Sequence, residues 1–292
     1  MWLLRRTQVG GMRNTGERRN INAALLLAIS TITSSGWTTT GHSDESAIVG
    51  DSQQIGINNL KALEDPTILA RRIWLDTEWS KFKDDSDTLE ETLGGLWSWR
   101  VSNAQEWAVR LKVPYTMNFA GDADDDYEDQ ALGDISFATG TAFRLSKTWR
   151  TAAAIELRMP TGTNDSLSAN AWRLKEIGTV AWDATAWLTF SPSVEHNHSV
   201  AEQAGASREH SMELFFPTTV LLPDLWAVTA KYETKIDFEN DKARTHSAKL
   251  QVAKRLEERP LGFTLSIKKP LDDESNKDFQ VNLVSTYYFA SQ

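Results

Sequence analysis

The chain of 292 residues carries 40 acidic and 31 basic side chains, a formal charge of −9, and no basic stripe or phosphate-cradling glycine loop, which argues against a nucleic-acid partner. It contains no cysteine, so disulfides, thiolate sites and a lipid-anchored cysteine are excluded. Apart from a short N-terminal run, no stretch offers the roughly twenty apolar residues of a helical membrane span, a test that a β-barrel escapes because only every second strand residue faces lipid.

The first 36 residues have the pattern of an export signal. Arg5, Arg6, Arg13, Arg18 and Arg19 precede an apolar run over 21–30, and small residues follow. Five arginines and one glutamate lie in this segment, so its removal takes the formal charge from −9 to −13. Residues 37–66 form a short N-terminal segment, periplasmic or entering a lumen. Within it Ile57, Leu60 and Leu63 recur at near-helical spacing before Pro66, so it reads as an arm or as a plug.

From residue 67 to 292 the connections alternate between tight and long. The tight ones are 101–105, 145–148, 183–186, 222–225 and 257–260, each just long enough to reverse a strand pair. The long, mostly acidic ones are 83–91, 120–130, 161–170, 196–209 and 271–277; only 239–243 is short where a long loop is due. Short turns on one rim and long loops on the other predict an all-β, antiparallel up-and-down transmembrane β-barrel. The strands expected are 69–81, 92–101, 105–119, 132–145, 149–160, 172–182, 186–196, 209–221, 225–238, 243–256, 260–269 and 278–290, about 12 in all. The second, sixth and eighth carry the weakest patterns, the sixth because its phase is ambiguous and the eighth because Pro217 interrupts it.

Alternation along the strands points the same way. Trp107, Val109, Leu111, Val113, Tyr115, Met117 and Phe119 share one face of the third strand, and Arg110, Lys112, Thr116 and Asn118 the other. Trp107, Trp149 and Trp226 each open a strand after a tight turn, and with Tyr287 and Phe289 they are the expected membrane girdle; Trp187 also follows a turn, in a phase that could point it inward. The minority face supplies candidates for lining the lumen: Arg100, Arg110, Lys112, Glu156, Arg158, Lys231, Glu233 and Lys235, with Lys249 and Lys268 beside them. Charges of both signs there predict either a narrow polar passage without strong ion selectivity or a salt-bridged filled interior.

Three short stretches resemble a known family. Leu132-Gly-Asp-Ile135 leading into a strand, Leu157-Arg-Met-Pro-Thr-Gly162 closing one, and the strand Leu188–Glu195 are similar to bacterial outer-membrane proteins grouped as meta-pathway phenol-degradation proteins, or simply transporters. The resemblance covers roughly residues 67–290. It implies a barrel of the bacterial outer membrane associated with uptake of small organic, often aromatic, compounds; it brings no catalytic residue and no cofactor. The chain departs from the usual barrel ending, in which an aromatic residue comes last, because Ala290, Ser291 and Gln292 follow Phe289.

The reading is therefore a non-enzymatic channel or transporter, with outer-membrane lipid, lipopolysaccharide, a small-molecule solute and the barrel-assembly machinery as partners. The alternatives are a structural or partner-binding barrel with a filled lumen and, more distantly, a lipid hydrolase using Ser193, Glu195, His196, His198 or Ser199. His196 and His198 read as solvated loop residues. With His210 they could approach a metal, but no carboxylate cluster forms a convincing site with them, so no metal site is assigned.

Overall fold

The computed structural model describes residues 58–62, 65–119, 127–164, 167–203, 206, 208–241, 243–257, 259–272 and 275–289. The export signal and most of the segment 37–66 lie outside these residues.

Fourteen antiparallel segments, β1 (Arg72–Phe82), β2 (Asp87–Ser102), β3 (Gln105–Phe119), β4 (Tyr127–Leu132), β5 (Ser136–Arg144), β6 (Trp149–Arg158), β7 (Ala171–Asp183), β8 (Leu188–Phe190), β9 (Ser193–Glu202), β10 (His210–Leu222), β11 (Trp226–Asp237), β12 (Ala243–Arg255), β13 (Leu261–Pro270) and β14 (Lys277–Tyr288), pair in chain order. They compose 12 strands. β4 and β5 extend one another along β3, and β8 and β9 extend one another between β7 and β10. The ladder from Arg72↔Tyr288 to Phe82↔Lys277 joins β1 to β14, closes the barrel and leaves no sheet edge.

Both breaks have local causes. Pro192 has no N–H to donate, and the chain leaves the ladder at Ser191–Pro192. Pro217 does not interrupt β10, as the sequence suggested. Its carbonyl accepts the Ser191 N–H at 3.2 Å, so its missing donor is turned toward that same break and costs no ladder bond. The β4/β5 break is the Leu132–Ile135 motif. There the Leu132 carbonyl accepts from Thr163 N at 2.9 Å, the Thr161 hydroxyl accepts from Ile135 N at 2.9 Å, and the Ile135 carbonyl accepts from Met159 N at 2.9 Å.

Two predicted long loops are shorter than expected. The stretch 83–91 is mostly strand, because Thr88, Glu90 and Thr92 continue the inward phase and Asp87 pairs with Lys81 at 3.1 Å, leaving only 83–86 as the connection. Likewise β9 runs on to Glu202, so His196 and His198 stand on a strand and the connection is 203–209. One rim still carries the connections 103–104, 145–148, 184–187, 223–225 and 256–260, and the other carries 120–126, 159–170 and 203–209.

The alternation sorts the side chains by face. Leu93, Leu111, Phe137, Ile155, Val180, Phe216, Leu250, Leu265 and Leu283 are exposed on the outer surface of the wall. The intervening positions, among them Ser98, Glu156, Thr179, Glu233, Gln251, Ser266 and Gln280, are buried and polar. A soluble sandwich would place these sets the other way round. The ambiguous sixth strand is thereby fixed: on β7 the even residues Trp172, Val180 and Trp182 face out, and Arg173, Lys175 and Thr179 face in.

Candidate functional site: a charged lumen and its short-turn mouth

The inward face is a set of linked ion pairs. On β3 and β6, Arg110 bonds Glu156, and Lys112 lies 3.8 Å from the same carboxylate. On β7 and β9, Lys175 meets Glu195 at 2.8 Å, and Arg173 meets Glu209 at 3.1 Å. On β11, Lys231 lies 2.9 Å from Glu233, which Lys268 of β13 also bonds. Lys235 sits between Glu209 at 3.5 Å and Glu213 at 3.6 Å. Carboxylates are thus shared by two cations at Glu156, Glu209 and Glu233. The β14–β1 wall carries an acidic excess, with Asp76 accepting from Asn282 at 2.5 Å, Glu78 from Gln280 at 2.7 Å, and Lys277 4.0 Å from Glu78.

The sequence-predicted lumen residues fall within this network with two qualifications. Arg158 reaches Asp134 at 3.7 Å beside the long-loop rim, and Arg100, 3.9 Å from Glu106, projects at the short-turn rim with its side chain 68 % exposed. Several charged inward residues escaped the sequence reading: Asp76, Lys175 and Glu195 in the wall, and Lys61, Asp65, Arg150 and Asp183 at the mouth. Arg150 and Asp183 each adjoin an outward tryptophan in the opposite phase, which is the sequence signal of their inward position.

That mouth is crossed by the N-terminal segment. Residues 58–61 make a single helical turn whose Leu60 is buried against Ala227, Ala253 and Leu221 of β10 to β12. The chain then passes Lys61, 3.0 Å from Asp183 on β7, and Asp65, 2.7 Å from Arg150 on β6; Arg150 also bonds Asp183. It reaches the β1–β2 wall where Arg72 donates to the Ala62 carbonyl, Arg71 to Ser98 O at 2.6 Å, and Ser98 Oγ to Leu69 O at 2.5 Å. A segment touching β10–β12, β6–β7 and β1–β2 in succession spans the opening. Beside it remains a chamber of about 740 Å³, lined by Lys61, Arg71, Arg100, Arg144, Arg150 and Asp183 among others.

Around the same rim the outward aromatics form a belt. Trp149, Trp182 and Phe190 stack in series with centroids 5.8 and 5.7 Å apart. Phe289 packs on Trp97 at 5.8 Å and on Tyr287 at 5.2 Å, and Lys254 covers Trp226 at 5.1 Å. Trp107 donates to the Thr139 hydroxyl at 2.9 Å, and Trp187 is exposed at its turn. Trp182 holds the middle of the stack, so Trp182→Ala is expected to lower unfolding stability by about 2 kcal/mol, read by heat-modifiability on gels. An unchanged melting point would show that the stack holds nothing.

The hydrolase candidates are divided by the strand they share. On β9, Ser193, Glu195, Asn197 and Ser199 face in, and His196 and His198 face out. Ser199 Oγ accepts the Glu209 N–H at 3.0 Å, and Glu195 is held by Lys175.

No family model matches the chain, and no match is found among curated proteins. Solved structures do match. The COG4313 outer membrane channel from Pseudomonas putida F1 aligns with a TM-score of 0.66 at 13 % identity, over 76 % of this chain and 96 % of that one. The NanC porin aligns with a TM-score of 0.50 at 11 % identity over 74 % and 100 %, and the CymD monoaromatic hydrocarbon channel with 0.50 at 6 % over 81 % and 94 %. The chain has the fold of bacterial outer-membrane channel barrels.

Proposed function

We propose that this protein is a passive outer-membrane channel for small organic solutes, its short-turn rim facing the periplasm and its flow restricted there by the N-terminal segment. The observation that carries the reading is the inner face, which is polar and charged from rim to rim. A barrel needing only stability would be served by an apolar filling, since replacing buried ion pairs with packed hydrophobic groups is often neutral or stabilising. The acidic wall at Asp76 and Glu78 opposes a surplus of cations elsewhere, an arrangement suited to a solute with both polar and apolar edges. The COG4313 channel and the CymD hydrocarbon channel share the fold, and the motifs at 132–135 and 157–162 support placement among the meta-pathway phenol-degradation proteins. Aromatic acids are therefore the solutes to try first.

The test is reconstitution of the refolded protein into planar bilayers, with single-channel conductance recorded with and without small aromatic acids. Discrete steps reduced by such a solute are the expected result. Folded protein that conducts nothing would favour the second reading, a filled structural barrel, which the segment seated across the mouth also suits. Selectivity gives a further check. Wild type is expected to discriminate weakly between K⁺ and Cl⁻, whereas Glu156→Gln leaves Arg110 and Lys112 without their shared carboxylate and should move the reversal potential in a salt gradient toward anions. An unmoved potential would place these residues off the ion path.

A further inference from the structure

Four outward residues near the long-loop rim break the apolar pattern of the wall. On β7, β9 and β10 the outer face reads Val180, Val194, Leu214 and Phe216 and then, further toward that rim, Glu176, His196, His198 and His210; Trp172 and Val200 lie beyond. The ladder sets Glu176 directly opposite His196, and His198 directly opposite His210. Polar side chains at lipid-facing positions are costly without a function or a partner.

The geometry points to a binding site for one divalent transition-metal ion, of the zinc, nickel or copper type, formed by Glu176, His196 and His198. Donor atoms of the three lie within 4.8 Å of one another, so small rotations of the side chains bring them around a common ion at the usual bond length of about 2.1 Å. His196 Nδ1 is 3.0 Å from Glu176 Oε2, and His198 Nδ1 is 3.6 Å from that same oxygen. The His198 nitrogen is buried and has no hydrogen-bond partner among the described residues, a donor atom aimed at a position where a ligand belongs. Its ring lies 5.1 Å from that of His196, whose ring also lies 5.3 Å from that of His210.

The carboxylate decides the sign of the ligand. Protonated histidines alone would suit a phosphate of the outer leaflet, but Glu176 stands among them and repels an anion. Two imidazoles and one carboxylate are a donor set for borderline cations, whereas calcium and magnesium prefer all-oxygen sites. The sequence hid this site because Glu176 lies twenty positions from His196 and only the β7–β9 register joins them.

The experiment is titration calorimetry on the full-length folded protein, purified without a polyhistidine tag and stripped with a chelator, against Zn²⁺, Ni²⁺ and Cu²⁺ at neutral pH. Saturable binding near one ion per chain is expected, weakened about tenfold or more by His198→Ala and by Glu176→Gln. His246→Ala, an outward histidine bonded to Tyr232 and Thr234 away from the cluster, should leave the affinity unchanged and serves as the control. Heat-modifiability establishes that each variant is folded, and a Cu²⁺ electron-resonance spectrum showing nitrogen coordination, reduced in His196→Ala and lost when His198→Ala is added to it, provides a second readout. Absence of saturable binding, or binding that both ligand variants retain, overturns the assignment.

Discussion

The double variant Leu60→Glu, Asp65→Asn is expected to form channels with severalfold higher conductance than the unaltered protein. Leu60 is buried between Ala227 and Ala253, and a full Leu burial is worth about 2 kcal/mol. A glutamate there would strand a charge against apolar side chains. Asp65 is held by Arg150 at 2.7 Å and accepts from Thr67 N at 2.9 Å, and losing its charge leaves Arg150 to Asp183 and the Thr67 hydroxyl. Breaking a buried pair by removing one partner costs about 3–5 kcal/mol, so two of the segment's anchors fail together, leaving Lys61 on Asp183 and the bonds at Arg71, Arg72 and Ser98 to hold it. The strands themselves are untouched, so the variant should keep the heat-modifiable mobility of a closed barrel. A folded variant with unaltered conductance would mean that the segment lines the mouth without restricting it.

A second large effect is expected at Asp134, whose side chain is fully buried at the β4/β5 break. Its Oδ1 accepts from Gly162 N at 3.0 Å and from Ser168 Oγ at 2.7 Å, and its Oδ2 from Ala169 N at 2.8 Å. Asp134→Ala would leave these donors unsatisfied and cost roughly 3 kcal/mol. Asp134→Asn keeps one acceptor and turns a donor against an N–H, so it should fall between. The measurements are the melting temperature and the rate of protease nicking within 159–170, both worsening in the order wild type, Asn, Ala. Equal nicking in all three would show that the loop is fixed by its backbone bonds alone.

The same carboxylate explains part of what could be read without coordinates. The motifs at 132–135 and 157–162, on which the family resemblance rests, are bonded to each other across this break. The strand count, the turns and the outward faces were legible because lipid and water impose a period of two on each strand, as on β3 from Trp107 to Phe119. The misread boundaries share one cause: the polar stretches at 87–91 and 196–202 look like loops by composition, yet their residues continue the alternation and find partners on β1 and β7. Site residues were legible where charge fell on the minority face, as with Arg110 and Glu156. Partnerships across the barrel, such as Asp65 with Arg150, depend on closure and leave no trace at any sequence spacing.

The position of the mouth segment imposes an order on assembly. Residues 58–71 lie upstream of every strand yet rest against walls built from the middle and last thirds of the chain, and Leu60 has no pocket until β10, β11 and β12 stand side by side. The first part of the barrel unit in chain order therefore finds its place only after late strands have paired. Until β10, β11 and β12 are paired its leucine is uncovered, and a mutant slow to pair them should be cut in this segment first by protease added during refolding.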